Sequence, residues 1–410
     1  MALIDMLLGK ILTQGRLTII DYDGKRTTYG PGGGADGKDR ALTIRVTDAR
    51  VLFDIARNPR LGLGEAYMDG RLIVEDGSIL DLMTMIVGAN RWEDKAGGRA
   101  AMNKGKSKWK ALFRRNPADV SRRNVAHHYD IGNDLYRLFL DDDLQYSCAY
   151  FTDPGNSLEQ AQADKKAHIA AKLHVEPGQR VLDIGCGWGG TALYLNRVAD
   201  VDVLGVTLSE EQLKVARERA AAAGVADRVK FELIDYRSVT GRFDRIVSIG
   251  MFEHVGAAHY VEFFARCHDL LTDDGVMLLH TIGKLGKASA APDPFTDKYV
   301  FPGYHLPSLS SMAAASEQVR LITTDVETLR LHYAYTLRHW LARTEAAREQ
   351  IVALHDERFF RLWQFYLAGA IVGFECGTMC NYQIQYTRDR HALPITRDYM
   401  AEAEAAYRAR

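Results

Sequence analysis

The chain has 410 residues, 47% hydrophobic and 26% charged, with 52 Lys+Arg against 53 Asp+Glu and a net charge of −1. That length exceeds one compact core and predicts two domains; the composition excludes a disordered chain, and the charge excludes a molecule-wide polyelectrolyte binder. Five scattered cysteines, Cys148, Cys186, Cys267, Cys376 and Cys380, form no Cys-x-x-Cys pair, which argues against a disulfide framework or a zinc site and fits a reducing, cytoplasmic setting.

No apolar run approaches the ~18 residues that would span a bilayer. The N-terminal 2-ALIDMLLGKIL-12 lacks a basic leader and a cleavage site, and reads as an amphipathic helix that packs on its own domain or touches a membrane surface. Residues 1–92 are expected to form a small α/β domain. Two β-like runs flank Asp23-Gly24, a hairpin signal. A strand and a helix follow over 42–59, then a loop and short strand over 61–74. The stretch 95–123 carries ten Lys/Arg against the single acid Asp119. It reads as a solvated linker, or as a basic segment drawn to an anionic surface, with Trp109 and Phe113 favouring a membrane interface. From about 165 strands alternate with helices, which predicts a parallel sheet covered on both faces and a ligand at the carboxyl ends of its strands. The tail is expected to return to helices over 336–350 and about 356–376, with Cys376 and Cys380 as packing residues one helical turn apart.

The first strand of that alternation enters 181-VLDIGCGWGG-190. Gly185, Gly187 and Gly190 satisfy the dinucleotide pattern G-x-G-x-x-G, and a nicotinamide cofactor would place its pyrophosphate on the loop. Asp183 at the strand end opposes that. A carboxylate there repels a dianion and suits S-adenosyl-L-methionine, whose sulfonium and ammonium are positive. Where a ribose-binding acid is expected the chain has Thr207, Leu208 and Ser209. Gln212 either reaches the cofactor or caps its helix in a box with Ser209. Asp235-Tyr236 either brackets an adenine or is an ordinary strand end.

Further stretches narrow the reading: 127-HHYDIGNDLY-136, 146-YSCAYF-151, 250-GMFEHVG-256, 280-HTIG-283 and 332-HYAYTLRHW-340. With them the chain resembles the cyclopropane-fatty-acyl-phospholipid synthases and the related mycolic acid cyclopropane synthases over about 120–385. Residues 64-GEAYMDGRL-72 resemble the N-terminal domain of the phospholipid enzymes. The resemblance implies an α/β class I methyltransferase fold, Rossmann-like with a mostly parallel sheet, over 124–410. The domain 1–92 would then serve lipid docking and dimerisation, with 93–123 as the linker. It implies attack of an acyl-chain double bond on the cofactor's methyl group, a carbocation, and proton loss to a bound bicarbonate as the ring closes. By motif match Cys148, Glu253, His280, Tyr333 and the backbone of Ile282 would hold the bicarbonate. Tyr129, Tyr146, Ser147, Gly185, Gly187, Thr207, Gln212 and Tyr236 would join Asp183 on S-adenosyl-L-methionine.

These residue types suit the chemistry. A weak alkene nucleophile needs a dry, orienting pocket, and a carbocation needs aromatic faces or negative charge without water. Tyr146, Tyr150, Phe151, Trp188, Phe252 and Tyr333 lie in or beside the motifs, and His280 at a strand end can pair with Glu253. Taken alone, each has a plainer role: Cys148 and His280 as core residues, Glu253-His254 as a helix start. His127-His128 lacks a third metal ligand at zinc-like spacing. The pattern departs from many relatives at Ala370, where they place a cysteine. The expected partners are unsaturated phospholipid chains, an anionic membrane surface on its cytoplasmic side, and a second copy of the chain, with no nucleic acid. The alternatives are a fatty-acyl C-methyltransferase and an idle lipid-binding protein that keeps the fold. A nucleic-acid methyltransferase is disfavoured because neither a Pro-Cys nor an Asn-Pro-Pro-Tyr loop is present.

Overall fold

The computed structural model describes residues 12, 14–32, 41–88, 91–94, 132–286 and 292–410. The expected N-terminal amphipathic helix, the basic stretch 95–123, His127-His128 and Tyr129 lie outside the described residues. The chain forms two compact units. One combines the N-terminal elements with 293–302 and 337–378; the other contains 132–292, 303–336 and 379–410. The expectation had assigned all of 124–410 to one domain.

In the first unit, β1 (Arg16–Ile20) and β2 (Arg26–Tyr29) form the expected antiparallel hairpin. β3 (Ala41–Val46) runs parallel to β1, and β4 (Leu72–Asp76) is antiparallel to β3, giving the order β2-β1-β3-β4. Helix α1 (Arg50–Arg57) follows β3. The loop expected over 61–68 is instead part of helix α2 (Pro59–Met68). Asn58 caps it by accepting from the Leu61 N–H, and Pro59 supplies a pre-set first turn. Its glycines are contact sites: a Cβ on Gly62 would fall 2.5 Å from the Asp54 carbonyl, and one on Gly64 2.3 Å from Phe295. Close packing thus outweighs their poor helix propensity. Helix α3 (Ile79–Val87) starts at a Ser78–Asp81 capping box.

The second unit is a seven-stranded sheet in the order β10-β11-β9-β8-β5-β6-β7. Strands β5 (Arg180–Ile184), β6 (Asp202–Thr207), β7 (Val229–Leu233), β8 (Phe243–Ile249) and β9 (Leu271–Lys284) run parallel. β10 (Ile322–Thr328) and β11 (Met379–Thr387) complete it, with β11 antiparallel to both neighbours. Both faces are buried, and alternate residues serve opposite cores. Leu182, Ile246, Met277 and Leu279 face one side with Phe252, Phe263 and Phe264. Val181, Val203, Val247 and Leu278 face the other with Ile169, Leu195 and Leu213, under α4 (Leu158–Leu173), α5 (Gly190–Ala199) and α6 (Glu210–Ala222).

The helical tail is corrected in one respect. The helix Glu357–Glu375 ends before Cys376, and Cys380 lies in β11, so the two cysteines share no helical face.

Candidate active site

Asp183 is the last residue but one of β5, on the same face as Val181, and the chain turns through Gly185 (φ +85°), Gly187 (+54°) and Gly189 (+83°) into α5. Positive φ costs an L-residue and is free for glycine. Here it lets the Gly185 and Cys186 N–H groups turn onto the Val206 carbonyl of β6, and the loop lines a cleft together with residues at the carboxyl ends of β6, β7 and β8. Eight of the residues expected to bind cofactor line that cleft: Tyr146, Ser147, Asp183, Gly185, Gly187, Thr207, Gln212 and Tyr236. Tyr129 lies outside the described residues.

At two of these positions the structure bears on the open alternatives. Ser209 caps α6 by accepting from the Gln212 N–H at 3.3 Å, but the Gln212 side chain does not close the box. Its Oε1 accepts from the Thr207 hydroxyl at 3.2 Å, beside the cleft. Asp235 is both an end and a wall. Its carboxylate accepts from the Arg237 N–H and from the guanidinium, with Oδ2 2.6 Å from Arg237, while Tyr236 packs edge-on against Phe263. On the near wall, Tyr146 and Trp188 each lie 5.0 Å from the ring of Tyr136, and the Trp188 N–H donates to Asn133.

Asp183 is 1% exposed, and its Oδ2 has no hydrogen-bond partner. Burial raises its pKa to about 7, with Lys165 pulling the other way. An orphaned buried carboxyl oxygen facing a cleft is a receptor for a cation, which fits the ammonium of S-adenosyl-L-methionine.

The five residues expected around bicarbonate lie beside the cleft, outside its lining. Glu253 follows β8 in a single 3-10 turn. Its Oε1 accepts from the Ile282 backbone N–H at 2.6 Å, and its buried Oε2 has no partner. Burial raises its pKa to about 7, opposed by that N–H. The expected Glu253–His280 pair is absent. Instead, the His280 Nε2 lies 3.0 Å from the Asn381 side-chain amide, and Nδ1 lies 3.1 Å from that of Gln383. The cause is register: Gln383 sits directly across from His280, and Asn381 across from Ile282. Burial and the cations Lys165, Lys172 and His168 hold His280 neutral. A neutral imidazole has one N–H and one lone pair, so one of the two amides must present its otherwise unpartnered oxygen. Cys148 is fully buried, and burial pushes its thiol pKa up. The Ala149 N–H donates to the Thr336 hydroxyl and the Phe151 N–H to the His332 ring, stitching 148–151 onto the helix turn that carries Tyr333. Two of the aromatic residues have other duties. Phe252 is a core residue stacked on Tyr260, and Tyr150 is stacked between His168 and His332.

The profile described as mycolic acid cyclopropane synthetase matches residues 117–384. The chain belongs to that family. A second profile, for a domain of unknown function, matches 7–91. The chain is 36% identical over 392 residues to a Pseudomonas putida protein named "Probable fatty acid methyltransferase", covering 92% of this chain and 94% of that one. It is 38% identical over 353 residues to the cyclopropane-fatty-acyl-phospholipid synthase of Escherichia coli K12, covering 84% and 87%. Among solved structures, the mycolic acid cyclopropane synthase CmaA1 in complex with SAH and CTAB aligns at 36% identity with a TM-score of 0.62, over 65% of this chain and 97% of that one.

Like its cyclopropane synthetase relatives, the chain is therefore an S-adenosylmethionine-dependent enzyme on a methyltransferase fold. Among the described residues no helix is long and apolar enough to cross a membrane. Sequence reasoning missed Lys165, Asn381 and Gln383. In 379-MCNYQIQYT-387 the alternating Asn381, Gln383 and Gln385 were the available signal: a strand with a polar face.

Proposed function

We propose that the enzyme builds a cyclopropane ring across the cis double bond of an unsaturated acyl chain in a membrane phospholipid. S-adenosyl-L-methionine, when bound, supplies the electrophilic methyl group. The observation that carries the reading is the coincidence of an S-adenosylmethionine cleft with a buried, half-satisfied carboxyl beside it, Glu253, in a family of cyclopropane synthases.

The residues beside the cleft suit a bicarbonate ion. Glu253 keeps its proton up to about neutral pH and can donate through Oε2 to an anion that an ionised carboxylate would repel. Lys165, Lys172 and His168 contribute a positive field at His280. Cys148, with its thiol protonated, is a weak donor and no nucleophile. Bicarbonate held by Glu253, His280, Tyr333, Cys148 and the Ile282 N–H would supply the base that takes a proton from the transferred methyl; His280, the Cys148 thiol and the Ile282 N–H would each exchange the protein partner they have here, the Asn381 and Gln383 amides, the Ala149 carbonyl and Glu253 Oε1. Residues 1–92 and the basic stretch 95–123 would dock the enzyme on an anionic membrane face, and the N-terminal domain would pair two copies.

A second reading has one specific support. The Pseudomonas putida relative, named as a fatty acid methyltransferase, matches across 92% of this chain. Loss of a different proton from the same cation would leave a branch in place of a ring. Mass spectrometry and NMR of lipids from vesicles of mono-unsaturated phospholipid, incubated with the protein and S-adenosyl-L-methionine with and without bicarbonate, test both. A gain of one CH2 with the double bond replaced by a ring is expected, and faster with bicarbonate. A retained double bond with a methyl or methylene branch selects the second reading, and unchanged lipid overturns both.

A further inference from the structure

Lys165 is a buried cation that contributes to the field at His280 but has no direct contact with a reacting group assigned to it. It lies on α4, 0% exposed, and no carboxylate pairs with it among the described residues. Its Nζ donates to Gln145 Oε1 at 2.7 Å and to Ser147 Oγ at 2.8 Å. Burying an ammonium on two neutral oxygens is costly, and a helix position need not carry one. The Gln145 amide nitrogen is committed to Asp143 Oδ2 at 3.0 Å. Ser147 is different. Lys165 occupies a lone pair of its oxygen, which turns the hydroxyl proton away from Lys165, and Ser147 lines the cleft. On the same cleft Asp183 presents its orphaned carboxyl oxygen. The wall thus carries an acceptor of negative charge and, beside it, a donor backed by a positive charge. At the other end Arg237 is already matched by Asp235.

We infer that Lys165 is a positioning residue that makes Ser147 a hydrogen-bond donor to the carboxylate of the cofactor's methionine end, while Asp183 takes the adjacent ammonium. The seat is dipolar and reads the zwitterion, not the sulfonium. It therefore holds S-adenosyl-L-methionine and S-adenosylhomocysteine alike, and it discriminates against a ligand without the carboxylate.

Decarboxylated S-adenosylmethionine, which keeps the sulfonium and the ammonium, is the probe. Calorimetric titration of the full chain compares it with S-adenosyl-L-methionine and S-adenosylhomocysteine, for the wild type, Lys165→Met and Ser147→Ala. A hydrogen bond to a charged group implies a loss of about 10- to 100-fold in affinity for the two carboxylate-bearing ligands in either variant. Decarboxylated S-adenosylmethionine should bind the wild type and Ser147→Ala within about twofold, already weakened in the wild type by a factor in the same range; in Lys165→Met it should lose less than the two carboxylate-bearing ligands, because Lys165 also favours the ionised Asp183. Equal losses for all three ligands, or no loss for any, overturn the proposal. Ser147→Ala removes one hydroxyl and leaves Lys165 in place, so it decides the matter even if Lys165→Met does not fold. A wild type that binds none of the ligands would refute the cofactor assignment instead.

Discussion

Replacing Glu253 by Gln should stabilise the ligand-free protein in a pH-dependent way while destroying its turnover. Glu253 is 5% exposed, and its pKa rises from 4.5 to about 7. At about 1.36 kcal/mol per pKa unit, the folded state disfavours the ionised carboxylate by ~3 kcal/mol. Between pH 4.5 and 7 the folded chain holds a proton that the unfolded chain has released. Its stability relative to a neutral side chain is therefore greatest below pH 4.5, falls as the pH rises, and levels off above about 7. Gln is neutral throughout and keeps an oxygen for the Ile282 N–H. The variant should match the wild type at pH 4.5 and exceed it by ~3 kcal/mol at pH 8, about 100-fold in the opening equilibrium. Hydrogen exchange of peptides from β8 and β9 reads this sheet directly, without assuming that a two-unit chain unfolds in one step. Asp183 also titrates near 7, but it is present in both proteins and cancels in the ratio. A variant-to-wild-type ratio that is the same at both pH values would refute the argument. In lipid assays the same variant should bind S-adenosyl-L-methionine normally and lose at least ~100-fold in turnover, the scale of a lost proton-handling group.

Gly185→Ala combines a φ of +85° with a Cβ 2.9 Å from that of Met251, so it should displace the cleft loop and weaken cofactor binding at least ~10-fold by calorimetry. Gly62→Ala drives a Cβ into the Asp54 backbone, which cannot yield, and should destabilise the first unit by ~2–3 kcal/mol, read as faster proteolysis within α1 and α2. Gln383→Leu leaves one ring nitrogen of His280 unpartnered in a fully buried place. Nitrogen-15 NMR of the histidine should then show a changed tautomer balance, and turnover should fall about tenfold, with the affinity for bicarbonate reduced. An unshifted His280 signal would remove Gln383 from the site.

What the chain made legible was whatever is encoded locally. The strand, the Asp183 turn and the glycines at positive φ occupy ten consecutive residues, and the cleft residues follow at strand ends. What it hid depends on distant partners. Gly62 and Gly64 looked like loop residues because their justification lies in Asp54, Phe295 and Phe365. Glu253 and His280 looked like a pair because both read as ends of adjacent strands, whereas His280 lies inside β9 and the register of β11 gives its imidazole to Asn381 and Gln383. Lys165 sits in a helix with no apolar stripe, 158-LEQAQADKKAHIAAKL-173, where a lysine normally reads as solvent-facing. Only the sheet beneath shows that it points inward.

The place of β11 also orders the protein's birth. It fills the slot between β9 and β10, antiparallel to both, although both precede it in the chain and a 19-residue helix intervenes. Until residue 387 has left the ribosome, two strands stand with bare edges facing an empty lane, the kind of surface that recruits another chain. A nascent chain halted before 379 would carry the whole glycine loop and every residue that lines the cleft, yet His280 would lack both side-chain amides that partner its ring.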